Sequence, residues 1–152
     1  TSYKQMLLNL KPGGVVSVSQ AMGDLVLPRD ATRPLVFVAG GLGIASFVSM
    51  CKALTATQEQ RTITLLYAMR DTDKELFAGT TEACPGLIKT FYVSPNRIDA
   101  AQITAAGVDG CLYYLSGSEP FTMGLRADLL KLGIPPTNIV YDFFDGYSPV
   151  DL

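Results

Sequence analysis

The sequence predicts an α/β fold, a three-layer, doubly wound domain around a five-stranded parallel sheet in the order 3-2-1-4-5. Two observations carry this. Five short runs rich in β-branched and aromatic residues recur along the chain, and stretches of helical spacing or composition stand between them. Strand and helix in alternation make a parallel sheet, and right-handed crossovers then gather the ligand-binding loops at the carboxyl ends of the strands. With 152 residues and 48% hydrophobic composition, the chain has enough apolar surface for one well-buried core.

The elements follow in order. Residues 1–31 precede the α/β rhythm and are expected to be the C-terminal remnant of a preceding β domain. Within them, residues 3–10 read as a short helix ended by Lys11, Pro12, Gly13 and Gly14, and residues 15–28 give two β-like runs around a Gly23-Asp24 turn. The start lacks both an initiator Met and the basic-then-apolar order of a signal peptide, which predicts a longer natural chain. The α/β domain is expected over residues 32–152. Its strands are expected at 35–39, 62–68, 88–93, 111–116 and 139–143, all buried. Helices are expected at 45–54, near 72–78, at 99–106 and at 121–132, where Leu125, Leu129 and Leu132 share one face.

Composition excludes several kinds of chemistry. The formal charge of −2, without a basic stripe, argues against nucleic acid as a partner. The chain has no histidine, which removes Ser/His and Cys/His nucleophile pairs, imidazole acid–base catalysis and most zinc sites, and no metal is expected. Cys51, Cys84 and Cys111 are odd in number and set in apolar surroundings. They predict buried free thiols and a cytoplasmic, reducing compartment, or the cytoplasmic face of a membrane. The uncharged run over 34–51 is interrupted by Gly40, Gly41 and Gly43, so it is read as a strand-to-helix turn and not as a membrane span.

Three places can carry chemistry. "AGGLGI", Ala39 to Ile44, is a strand running through glycines into a helix, which aims backbone N–H groups and the positive end of a helix at one point where an anion can sit. The bland reading is a tight turn with close packing. "YYLSGSEPF", Tyr113 to Phe121, is a second small-residue turn ahead of a helix, for which ordinary capping is the bland reading. If the first and fourth strands are neighbours, the two turns face one another across a crevice shaped for a dinucleotide. Third, Phe143, Phe144 and Tyr147 crowd just past the last strand, where a flat ring can stack.

Taken together, the order of motifs resembles the ferredoxin–NADP reductase superfamily of flavin-dependent oxidoreductases. Ala39-Gly40-Gly41-Leu42-Gly43-Ile44 is similar to the family's GGxG turn, and Tyr67-Ala68-Met69-Arg70, with Phe77 beyond it, is similar to its Y-x-x-R. Ser116-Gly117-Ser118-Glu119-Pro120-Phe121 resembles its CGPxxM loop, and Leu132 through Tyr147 resembles its LGxPxxxIxxExFxGY ending. Departures are Ala45-Ser46 in place of Thr-Pro, Ser116 in place of Cys, Ser118 in place of Pro and Phe121 in place of Met.

The resemblance implies hydride transfer from NAD(P)H to FAD, with this chain holding the nicotinamide dinucleotide. Gly40, Gly41, Leu42, Gly43 and Ile44 would then cradle the pyrophosphate, with Arg70, Gly117, Ser118, Glu119 and Pro120 completing the coenzyme site. Ser116 would lie beside the nicotinamide, and Phe144 or Tyr147 beside the flavin. Thr1 and Ser2 would approach the FAD pyrophosphate, most of the FAD site belonging to an amino-terminal domain of the same chain. Ser94 and Arg97 would favour NADPH, since a forked guanidinium suits the 2′-phosphate. An electron-acceptor protein or domain is implied: ferredoxin, flavodoxin, an iron–sulfur or haem domain, and ferric iron all fit. The alternative from another class is a non-catalytic dinucleotide-binding sensor or regulatory module.

Overall fold

A computed structural model describes residues 2–20, 23–71, 84 and 86–144. Helix α1 (Ser2–Leu8) comes first. Strand β1 (Leu35–Gly40) then leads through a 3₁₀ turn (Gly41–Gly43) into α2 (Ile44–Thr57). Strands β2 (Ile63–Met69) and β3 (Leu87–Val93) precede α3 (Ala100–Ala106). Strand β4 (Leu112–Ser118), α4 (Glu119–Lys131) and β5 (Ile139–Phe144) complete the order. The sheet runs β3-β2-β1-β4-β5 with every adjacent pair parallel, as the alternation predicts. The helix expected near 72–78, and Phe77 with it, lies outside the described residues.

Both faces of the sheet are covered, which is why its central strands tolerate no polar alternation. Leu35, Phe37 and Ala39 pack toward α2, where Phe37 stacks on Phe47 with ring centroids 4.4 Å apart. Val36 and Val38 pack the other way, with Ile103 of α3 and Leu125 and Leu129 of α4. All three cysteines are buried and free, and burial pushes the Cys51 thiol up, away from its reactive thiolate.

The structure corrects three expectations. The strands are not uniformly buried: β3 and β5 are edges with one neighbour each, and Ile88, Phe91, Tyr141 and Phe144 are exposed. Leu132 is also exposed, because α4 ends at Lys131 and the last position leaves the buried stripe. The two runs flanking Gly23 and Asp24 form no strand among the described residues, and Val15 and Val18 stand almost fully in solvent. A hairpin without a third strand or a packed face is marginal in water.

Residues 25–33 are nevertheless fastened to the amino ends of the strands. Leu25 and Leu27 pack against the α2-side core. Buried Arg61, two residues before β2, donates from Nη2 to the Pro28 carbonyl at 2.8 Å and from Nη1 to the Asp30 carbonyl at 3.2 Å. Buried Tyr114 of β4 donates its hydroxyl to the Val26 carbonyl at 2.8 Å, and burial raises its phenol above the ordinary value, so it remains a donor. Arg33 donates to the Gly110 carbonyl and to Asn138 Oδ1, both at 2.9 Å.

Candidate functional site

The glycine turn and the serine-glycine turn lie side by side at the carboxyl edge of the sheet, between adjacent strands β1 and β4. Ala39 is in register with Ser116, so the residues that follow them, Gly40 and Gly117, stand side by side at that edge. Gly43 sits directly on the second turn: a β-carbon there would lie 2.0 Å from the Ser116 carbonyl oxygen and 2.6 Å from the Gly117 nitrogen. Only glycine fits. Gly41 holds φ +53° with open space around it, so its backbone conformation selects glycine there. A β-carbon at Gly40 or at Gly117 would come 2.8 Å from the Phe121 ring, which rests across both. Close packing therefore accounts for three of these four glycines.

The two helix starts at these turns, those of α2 and α4, lack side-chain caps. Gly40 and then Gly43 stand where a capping side chain would, and Ser118 caps α4 without a hydrogen bond from its hydroxyl. In helix geometry the leading amides of Leu42 before α2 and of Phe121 in α4 have no carbonyl behind them within their helices. Pro120 contributes none, and the Glu119 carboxylate stands exposed in the first turn. Two helices of 14 and 13 residues thus direct their positive ends at neighbouring points.

Ser116 is 0% exposed and its hydroxyl has no hydrogen-bond partner among the described residues. Such a group costs about 1–3 kcal/mol when left unsatisfied. Thr122, in the first turn of α4, is in the same condition, and sequence reasoning missed it. Its spacing from Leu125 and Leu129 puts it on the buried stripe, and that was the available signal.

The other expected residues separate into groups. Leu42 is 74% exposed at the tip of the glycine turn, whereas Ile44 is buried in the core and its amide bonds back to Gly41 and Leu42. Ile44 therefore anchors the turn, and its amide is already engaged. Phe144 pairs with Ser118 in the β4–β5 register and is 45% exposed, which places an accessible ring beside the second turn. Arg70 and Ser94 follow the carboxyl ends of β2 and β3 and are exposed. The Ser94 amide donates to the Met69 carbonyl at 3.0 Å, and exposed Arg97 lies three residues on. Ser2 opens α1, a helix with no buried residue. Thr1 and Tyr147 lie outside the described residues.

A family model described as "Oxidoreductase NAD-binding domain" matches residues 37–105, from within β1 through α3, including the whole glycine turn. Residues 37–105 are thus similar to an oxidoreductase NAD-binding domain. Among curated relatives, Flavohemoprotein B of Dictyostelium discoideum is 28% identical over 93% of this chain and 38% of its own length. A flavohemoprotein of Bacillus anthracis is 26% identical over 90% of this chain and 39% of its own length. The chain thus spans about two fifths of the length of the curated relatives it matches.

Solved structures share the fold. A flavohemoglobin from Malassezia yamatoensis, with bound FAD and heme, superposes with a TM-score of 0.69 at 20% identity, covering 80% of this chain and 35% of that one. A ferredoxin NADP+ reductase from Neisseria gonorrhoeae, with bound FAD and NADP, gives 0.64 at 16% identity, covering 82% and 61%. The fold that the four motifs imply is borne out. Among the described residues, no helix is long and apolar enough to cross a membrane.

Proposed function

We propose that this chain is the NAD(P)H-binding half of a flavin-dependent oxidoreductase, with the coenzyme lying along the carboxyl edge of the sheet between β1 and β4. The observation that carries this is the contact of the two turns over a buried, unsatisfied Ser116 hydroxyl, flanked by two uncapped helix starts. These groups fit a dinucleotide: free amides at helix starts suit a diphosphate, and a small buried hydroxyl suits a carboxamide. Bound together, the coenzyme and flavin supply the hydride donor and acceptor, so the protein needs no imidazole base, in keeping with a chain that has no histidine.

The chain's own part is positioning. Gly41 and Leu42 would hold the diphosphate at the first turn, Ser116 would orient the carboxamide, and the exposed Phe144 ring, paired in register with Ser118, would stand toward the flavin. Ser94 and Arg97 receive a 2′-phosphate, with Arg70 nearby, which makes NADPH the preferred coenzyme. Residues 1–31 are the end of a flavin-binding barrel, and Thr1 and Ser2 lie toward the FAD pyrophosphate. The relatives' names join flavin to haem, which favours a haem group as acceptor and an enzyme over a sensor. The reducing character implied by three free thiols favours the cytoplasm.

Titration of the purified chain with NADPH and NADH, read by calorimetry and by nicotinamide fluorescence, tests the reading. Saturable binding of NADPH is expected, weakened about tenfold by Arg97→Ala with NADH unaffected, the loss of one charge-assisted contact. No turnover is expected until the flavin half is supplied. Absence of saturation with both coenzymes would refute the assignment.

A further inference from the structure

The fastening of residues 25–33 lies at the amino end of the sheet, one strand length or roughly 17 Å from the glycine turns. The groups that make it come from three separate parts of the chain: Arg61 ahead of β2, Tyr114 within β4, and Arg33 within the segment itself. Burying a guanidinium is expensive unless its donors are matched, and a packed aliphatic side chain would fill the same space at lower cost. Arg61, 8% exposed, directs Nη1 and Nη2 at main-chain carbonyls and Nε at Glu59 Oε1, 2.6 Å away. Bonds to carbonyls fix the path of the backbone whatever side chains it carries. The result is an irregular segment whose course is set at the Val26, Pro28 and Asp30 carbonyls and tied at its far end through Arg33 to Gly110 and Asn138.

That segment is the route by which anything upstream joins the nucleotide-binding sheet. We propose that Arg61, supported by Tyr114, is a positioning residue for hydride transfer: by fixing residues 25–33 it sets the angle at which an upstream flavin-bearing domain meets the crevice. The inference rests on the function proposed above. Arg61 touches neither coenzyme, and its effect is confined to how the two halves face one another. A displacement of about 1 Å at the reacting atoms is enough to slow a positioned reaction by as much as a hundredfold.

The test uses the full-length protein that contains this chain, loaded with flavin, as wild type, Arg61→Met, Arg61→Lys and Tyr114→Phe. Three quantities are read: the NADPH Kd, the limiting rate of flavin reduction after rapid mixing, and the primary isotope effect with deuterated nicotinamide. Arg61→Met is expected to lower the limiting rate about tenfold with the Kd within about twofold, while the isotope effect rises as hydride transfer becomes the slow step. Arg61→Lys recovers part of the rate, since an ammonium reaches one carbonyl where the guanidinium reaches two. Tyr114→Phe keeps the packed ring, loses only the bond to Val26, and falls about threefold in rate, so it carries the test if Arg61→Met does not fold. An unchanged rate in the folded variants overturns the proposal, as does a Kd that weakens in step with the rate. If the wild type binds no NADPH, or binds it without reducing its flavin, the functional reading itself fails, and this inference with it.

Discussion

Helices α3 and α4 start at the same edge of one sheet, yet their first turns are built differently. Asp99 closes α3 with a reciprocal cap: its carboxylate accepts from the Gln102 amide at 2.8 Å, and its own amide donates to the Gln102 side chain at 2.9 Å. At α4 the Ser118 hydroxyl makes no such bond, and ahead of α2 glycine stands in the capping position. The capped helix follows β3 at the edge of the sheet. The uncapped pair flanks the β1–β4 boundary, where the strand order reverses. A cap is worth about 1 kcal/mol to a helix, and it is omitted at both turns that meet and completed at the one that stands apart.

Three substitutions probe that contrast. The largest effect is expected at Gly43→Ala, whose new β-carbon meets the rigid Ser116 carbonyl: about 3 kcal/mol of stability is lost by urea unfolding, and NADPH affinity falls about a hundredfold because the turns are forced apart. A variant that binds normally would show that contact between the turns is irrelevant to the site. Ser116→Ala should separate stability from binding. Removing an unpartnered hydroxyl leaves stability unchanged or raises it by about 1 kcal/mol, while affinity falls about fivefold. Loss of stability without loss of affinity would make Ser116 a purely structural residue. The smallest effect on binding is expected at Asp99→Ala, which costs about 1 kcal/mol in thermal or urea unfolding and leaves the NADPH Kd where it was. A weakened Kd there would place α3 in the site and dissolve the distinction.

The sheet order was legible because hydrophobic runs and helical stretches alternate without ambiguity from Leu35 to Phe144, and right-handed crossovers leave few arrangements open. The candidate turns were legible because glycines at the end of a strand are conspicuous. Their reasons were not. Sequence suggested that Gly40 and Gly43 leave room for phosphate, whereas the structure shows Phe121 and the Ser116 carbonyl already in that space. Contacts between residues so far apart in the chain leave no local trace. The same holds for Arg61, whose partners Pro28 and Asp30 lie across the sheet's amino edge, and for Thr122, whose burial depends on which way α4 faces. Residues 15–28 misled for the opposite reason: β-propensity is a statement about packing surface, and these residues have no partner strand among those described.

The Phe121 ring resting on both Gly40 and Gly117 ties three distant positions into a single steric unit. Such units drift through evolution as a group: a methyl gained at either glycine demands a slimmer residue on the helix, and the reverse exchange reopens the seat. Across homologous chains the three sites should therefore covary, with alanine at 40 or 117 accompanied by loss of the aromatic at 121.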